Sequence, residues 1–154
     1  MTPACKTLQK MKIEFSTHEY LHDPNAKNFG LEAAEKLSLN VNEVFKTLMV
    51  TDDKNYYVAI LPVHCQLNLK KVATVFKCKK LHMADPKDAE RLTGYIVGGI
   101  SPFGQKKRLA TVVDLQAKTL DKMYVSGGRR GFDIGVAPEV MKIVLNAEFA
   151  DVID

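Results

Sequence analysis

Phe45-Lys46-Thr47-Leu48-Met49-Val50-Thr51, then Asp52-Asp53-Lys54-Asn55, then Tyr56-Tyr57-Val58-Ala59-Ile60-Leu61 is the stretch that decides the fold class. Two runs rich in β-branched and aromatic residues are separated by four turn formers, which predicts a β-hairpin. Lys46 interrupts an otherwise apolar, β-forming run. One reading makes it an edge-strand lysine that blocks strand association. The other makes it a cation at the floor of a pocket, and the pattern alone leaves both open.

Working outward toward the amino end, Asn40 or Asn42 caps a short turn before Val44. Phe29-Gly30 opens a helix with Leu31, Ala34 and Leu37 on one face. Before it lie a polar loop, His22-Asp23-Pro24-Asn25, and a strand over 13–20. Thr2-Pro3 opens a first helix that runs to about residue 12, with a hydroxyl cap and proline at the first helical position. Toward the carboxyl end, Asn68 caps a helix striped by Leu69, Val72, Val75 and Phe76, and a short strand covers 80–84. Asp85-Pro86 starts a further helix that Gly94 stops. Tyr95-Ile96-Val97 is expected as a short strand, 109–114 as another, and 122–126 with 132–134 as a second hairpin. Pro138 opens the last helix, with Val140, Ile143 and Val144 facing inward and Phe149 and Val152 completing the core. Hairpins mixed with helix-linked strands imply a mixed α/β fold: a mixed β-sheet, curled toward a barrel, surrounded by helices. Nothing divides the chain, so a single domain over 1–154 is expected.

The composition supports a packed core and excludes several classes. Of 154 residues, 46% are hydrophobic, and no window has the apolar length of a membrane span or the form of a signal peptide. Three cysteines, Cys5, Cys65 and Cys78, show no paired spacing, which fits a reducing compartment and a cytoplasmic location. No Cys-x-x-Cys site, P-loop or Gly-x-Ser-x-Gly elbow is present, so neither a metal nor any other cofactor is expected. The net charge of +4 is mild, but its distribution is not even. Gly98-Gly99-Ile100-Ser101-Pro102-Phe103-Gly104-Gln105 runs into Lys106-Lys107-Arg108, and Ser126-Gly127-Gly128 runs into Arg129-Arg130-Gly131, with Asp133 just beyond. Glycine lets another molecule approach the main chain closely, and exposed backbone N–H groups beside cations suit an oxygen-rich anion. RNA or a nucleotide is the natural partner class, against the plainer alternative of turns with solvated basic tips.

These segments, taken in order, resemble the YbaK-type prolyl-tRNA editing family of free-standing Cys-tRNA(Pro) deacylases. The resemblance rests on Thr2-Pro3-Ala4, His22-Asp23-Pro24 with Asn28-Phe29-Gly30, Lys46-Thr47-Leu48, Ala84-Asp85-Pro86, the run from Gly94 to Arg108, and Tyr124-Val125-Ser126-Gly127-Gly128-Arg129-Arg130-Gly131. It implies a barrel-like mixed sheet ringed by helices. It also implies removal, in trans, of cysteine wrongly attached to proline tRNA, with mischarged tRNA as substrate, prolyl-tRNA synthetase as a possible neighbour, and neither DNA nor a membrane as partner. By the same resemblance Lys46, Gly98, Gly99 and Ser101 form the catalytic set. Tyr20, Phe29, Gly30, Thr47, Ile100, Pro102, Ser126, Gly127 and Asp133 are expected to bind substrate, and the clustering of cations on the two glycine loops makes Lys106, Lys107, Arg108, Arg129 and Arg130 the expected RNA-binding residues. His64-Cys65, after Pro62-Val63, departs from the family pattern.

An aminoacyl ester is already activated, and clearing it takes a nucleophile and a stabilised oxyanion. No Ser-His-Asp or Cys-His grouping sits on the glycine loops. The substrate's own thiol is therefore the expected nucleophile, with the protein supplying orientation. Alternatives are a non-catalytic tRNA-binding or synthetase-docking module, and a deacylase of the same fold acting on another amino acid such as alanine. Asp133 has a competing role as a salt-bridge partner of Arg129 or Arg130, and Tyr20 and Phe29 as ordinary core.

Overall fold

The computed structural model describes residues 1–154. In chain order the elements are α1 (Pro3–Lys10), β1 (Ser16–Glu19), α2 (Phe29–Lys36), β2 (Phe45–Thr51), β3 (Tyr56–Pro62), α3 (Leu69–Phe76), β4 (His82–Met83), α4 (Pro86–Thr93), β5 (Thr111–Asp114), β6 (Met123–Arg129), β7 (Phe132–Val136), α5 (Val140–Leu145) and β8 (Glu148–Ala150). The strands form two sheets, ordered β4-β2-β3-β5-β8 and β1-β7-β6. β2 and β3 pair antiparallel from Phe45↔Pro62 to Thr51↔Tyr56, which is the expected hairpin. Asp52 Oδ1 holds its turn by accepting from the N–H groups of Lys54 and Asn55. β3–β5 and β5–β8 are parallel, so the larger sheet is mixed. A parallel bridge, Val44↔Tyr124, joins the two sheets, and the curl toward a barrel takes this open, two-sheet form.

Both faces of the larger sheet are covered, which explains why β3 reads as a continuous apolar run rather than an alternation. The main core fills the space between the sheets with Met49, Ile60, Met123, Val125 and Ile134, closed by Leu8 of α1 and Met141 of α5. On the opposite face α3 packs Val72 and Ala73 against Val50, Ala59 and Val112. α2 packs Ala33 and Ala34 on Val44, Val63 and Tyr124.

The caps read from the sequence are present, and Asn28 adds one that the sequence reading does not single out. Thr2, Asn28, Asn40 and Asn68 each accept a backbone N–H at a helix start, and Gly94 ends α4 in the left-handed region. The expectations for Tyr95-Ile96-Val97 and for two helix faces are corrected. Residues 95–97 form no strand, because their polar groups are taken by side chains and by a turn, as described below. In α2 it is Glu32, Ala33 and Ala34 that point inward, and Leu31 stays exposed. Glu32 is buried because its carboxylate binds His22 Nδ1 at 2.7 Å, the Asp23 N–H at 2.7 Å and Lys36 Nζ at 3.1 Å. Burial alone would raise its pKa, but those donors outweigh it and hold the group below its ordinary value. In α5, Met141 takes the buried place expected for Ile143, which is 59% exposed.

Candidate active site

One cleft of about 360 Å³ gathers residues from both sheets, α2, α4 and the first glycine loop. Its polar wall consists of Tyr20, Lys46, Thr47, Ser126 and Asp133. Phe45, Met49, Met83, Ala84, Pro86 and Ala89 form its apolar side, and Phe29, Gly30, Gly98 and Ile100 close it. Lys27 and Asn28 line it as well. An apolar pocket with a few convergent polar groups is the usual form of a small-ligand site.

The polar wall follows from sheet pairing. Ser126 lies directly across from Asp133, and Asp133 across from His18, so these side chains share one face of the smaller sheet. Lys46 and Thr47 enter from the start of β2, where β4 does not reach: β4 pairs only with Val50 and Thr51. Lys46 is partly buried and makes no ion pair, and desolvation lowers its pKa. Thr47 Oγ1 is buried without any hydrogen-bond partner. Asp133 is 6% exposed, and burial pushes its carboxyl up to about 7. Burial, with the Asp133 and Glu32 carboxylates nearby, raises Tyr20 to about 12, so its hydroxyl stays a neutral donor. An unpaired buried polar atom is costly and uncommon, and Thr47 Oγ1, with the partly buried Lys46 and the Asp133 carboxyl, neither of them paired, on the same cleft, marks a place prepared for a polar ligand.

The salt-bridge alternative for Asp133 does not occur. Arg129 pairs with Glu19 at 2.9 Å and lies over the Phe132 ring, and Arg130 donates to the carbonyl of Val97. The glycine loop divides in two. Gly98 and Ile100 line the cleft, and neither N–H donates to a backbone carbonyl. Gly99, Ser101, Pro102 and Phe103 are buried away from it. Ser101 Oγ accepts the Phe103 N–H at 3.2 Å, and Tyr95 Oη donates to the Phe103 carbonyl at 2.6 Å, so Phe103 is fixed as a core plug with no exposed surface. Hence the structure brings Tyr20, Phe29, Gly30, Lys46, Thr47, Gly98, Ile100, Ser126 and Asp133 together, but not Gly99, Ser101, Pro102 or Gly127. The second glycine segment is not a loop: Ser126 to Arg129 are part of β6, with a bulge between Ser126 and Arg129, and only Arg130 and Gly131 turn.

No histidine or cysteine lines the cleft. Cys5 is buried in the core on α1, and Cys78 packs beside α3. Burial raises Cys65, which sits next to His64 and near Lys46. Ser126 Oγ accepts from the Gly128 N–H and lacks an imidazole partner. No His, Cys, Asp and Glu grouping fit for a metal ion exists, and no helix is long and apolar enough to cross a membrane. Lys106, Lys107 and Arg108 are exposed outside the cleft. Sequence reasoning missed the apolar wall from β4 and α4. Ala84-Asp85-Pro86 was legible as a helix start, but nothing local showed that this start faces a cavity.

Known proteins share sequence and fold with this chain. The profile of the aminoacyl-tRNA editing domain family matches residues 23–143. An Enterococcus faecalis protein bearing the provisional name Cys-tRNA(Pro)/Cys-tRNA(Cys) deacylase EbsC is 34% identical over 152 residues, covering 98% of this chain and 92% of its own. A proline–tRNA ligase of Geobacillus is 24% identical over 140 residues, and the chain spans about a quarter of that ligase's length. Among solved structures, the hypothetical protein APE2540 superposes with a TM-score of 0.86 at 25% identity, covering 99% of both chains. A structure provisionally described as a trans-editing enzyme for prolyl tRNA synthetase gives 0.84 at 21% identity over 100% of this chain and 99% of its own, which bears on the fold alone.

Proposed function

Because the chain belongs to the aminoacyl-tRNA editing domain family, we propose that it is a trans-acting deacylase which removes cysteine from Cys-tRNA(Pro), working as a single editing domain over 1–154. The observation that carries this reading is the cleft itself: unpaired Lys46, Asp133 and Thr47 Oγ1 converge on a space that holds no cysteine, no histidine and no base-activated serine. Such a site is built to hold an ester in position rather than to attack it.

Each group has a task on the acylated tRNA end. Asp133 accepts from the substrate α-ammonium, whose charge in turn favours the ionised carboxylate. Lys46 meets the terminal nucleotide's phosphate or hydroxyl as a fixed cation. The free N–H of Gly98 faces the ester carbonyl, and Phe29 and Tyr20 wall the amino-acid side chain. The substrate thiol then attacks its own carbonyl carbon. An S–C bond forms, the ester C–O bond breaks, and the ribose oxygen leaves with the proton given up by the thiol; water later opens the resulting thiolactone to free cysteine. A thiol with an ordinary pKa of about 8.5 supplies some thiolate near neutrality, which a serine hydroxyl or an alanine methyl does not. Orientation of this kind lowers a barrier by roughly 7–11 kcal/mol in favourable cases. Proline tRNA is the substrate on this reading, and a prolyl-tRNA synthetase nearby is the proposed partner.

The test is a panel of Cys-, Ser-, Ala- and Pro-tRNA(Pro). Cys-tRNA(Pro) is expected to be cleared fast. The seryl and alanyl esters should bind comparably and react far more slowly, since a methylene-scale size difference is worth only ~1–3 kcal/mol in binding. Lys46→Ala should abolish clearance without loss of fold, and Cys65→Ala should retain it. Fast hydrolysis of the alanyl ester would sink the substrate-thiol route.

A further inference from the structure

The turn that carries Gly98 is held by two charged side chains from different elements, neither of which touches the cleft. Ile96, Val97, Gly98 and Gly99 form a β-turn closed by the Gly99 N–H donating to the Ile96 carbonyl at 2.8 Å. Gly98, at its third position, has φ +89°, the sign required there by a type II turn. The Val97 N–H donates to Glu90 Oε2 of α4 at 2.9 Å. The Val97 carbonyl accepts from Arg130 Nε at 3.0 Å and from Arg130 Nη2 at 2.8 Å. The same guanidinium lies 4.8 Å from the centroid of the Phe29 ring, at the start of α2.

The carbonyl of Val97 and the N–H of Gly98 belong to one planar trans peptide group, so they point in opposite directions. A guanidinium fork on the carbonyl therefore fixes where the Gly98 N–H points. Types I and II differ mainly in the orientation of this central peptide. Rotating it would turn the N–H toward Arg130 and aim the carbonyl oxygen the other way, where it would repel a developing oxyanion. Glycine at position 98 leaves both turns open, so the choice between them falls to the groups that bind the peptide.

We propose that Arg130 and Glu90 are positioning residues: they grip Val97 from two sides and hold the Val97–Gly98 peptide in its type II orientation, with the Gly98 N–H available to the cleft. Arg130 thus serves the loop, not the RNA backbone. The catalytic half of this inference rests on the deacylase reading; the conformational half does not.

The experiment compares wild type with Arg130→Ala, Arg130→Lys and Glu90→Ala. Amide-resolved NMR reads the turn without any substrate. A close Val97 Hα to Gly98 N–H contact marks type II, and a close contact between the two amide protons marks type I. Arg130→Ala is expected to replace the first contact by the second. Arg130→Lys should do the same, because an ammonium lacks the planar fork. Cys-tRNA(Pro) clearance by both variants is expected to lose about 10²-fold in kcat, the scale of a lost oxyanion donor. KM and the salt dependence of tRNA binding should stay near wild type. Glu90→Ala should give an intermediate loss. An unchanged turn in Arg130→Ala overturns the grip. A flipped turn with unchanged kcat overturns its catalytic role. A raised KM with a flatter salt dependence, rescued by lysine, makes Arg130 an RNA contact instead. Should the wild type clear none of the panel, the deacylase reading fails, while the NMR comparison still decides the grip.

Discussion

The two glycine-rich basic segments, 98–108 and 126–131, look alike as sequence and behave oppositely in the fold. In the first, Gly98 takes a positive φ on the cleft wall, and the three cations at its far end stay exposed outside the cleft. In the second, Gly127 is buried in β6 and its cations are already engaged, Arg129 by Glu19 and Arg130 by the Val97 carbonyl. The difference teaches that a glycine run followed by cations encodes close approach, but not of what. In the first segment the approaching group is a ligand on our reading; in the second it is the protein's own Phe132 ring.

Adding one methyl group to each segment is the sharpest way to break this comparison. In Gly98→Ala the new Cβ would stand 2.9 Å from Arg130 Nε and 3.0 Å from the Phe29 ring, at a φ that costs an L-residue roughly 1–2 kcal/mol. A displaced turn at the reacting centre costs on the order of 10²-fold in rate, so kcat should collapse while the melting temperature moves by a few degrees. In Gly127→Ala the Cβ would stand 2.4 Å from Phe132 Cδ2 inside the core. Overpacking there costs about 1–3 kcal/mol, and each kcal/mol lowers the melting temperature by roughly 2–4 °C in a chain of this size, with turnover kept below the transition. Equal rate losses in the two variants, measured at a temperature where both are folded, would erase the distinction.

The same contrast shows what was legible in the sequence. Helix caps and the β2–β3 hairpin were readable because their signals are local: an Asn or Thr side chain meets an N–H two or three residues away. Gly30, Lys46, Thr47 and Asp133 were readable as site candidates through the family resemblance, and for Lys46 the apolar run around it was an independent sign. The distinction between a glycine loop and a glycine-bearing strand was not readable, since it depends on β7 pairing with Ser126 and on Phe132 needing the space at Gly127. Ser101 was assigned to the catalytic set and Pro102 to substrate for the same reason: nothing nearby in sequence shows that Tyr95 draws Phe103 into the core. The inward turn of Glu32 was likewise hidden, because its partners His22 and Asp23 lie about ten residues away, across a loop.

Asp133, just past the second segment, gives the next largest effect. Its carboxyl is raised from 3.8 to about 7 by burial, so over that window the folded chain holds a proton that the unfolded chain has released. Stability from this group therefore falls as pH rises, and the full penalty is present above pH 7. Asp133→Asn removes it. Urea unfolding at pH 5 and pH 8 should show the variant gaining a few kcal/mol over wild type at pH 8 relative to pH 5. A difference between the two proteins that does not change with pH would mean that a donor already satisfies the carboxylate, as Glu19 satisfies Arg129.

The smallest effect is the most direct test of free against engaged cations. Lys106 and Lys107 donate their backbone N–H groups to the carbonyls of Thr93 and Leu92, both at 3.0 Å, which closes the end of α4 and fixes where the side chains emerge. Neither enters an ion pair; Arg108 reaches only the Val144 carbonyl, at 3.3 Å. Their charges are uncompensated, whereas Arg129 faces a carboxylate at 2.9 Å. Each phosphate contact contributes about 0.9 to the slope of log affinity against log salt. Replacing Lys106, Lys107 and Arg108 by Gln should make that slope for tRNA binding shallower by up to about three units, with the rate at saturating tRNA unchanged. Arg129→Gln should change it by well under one unit, because an exposed pair with Glu19 already screens the charge and is itself worth only ~0–1 kcal/mol. A slope that drops as much for Arg129 alone as for each residue of the triple would show that Glu19 gives way to phosphate, and that both segments present their cations to RNA.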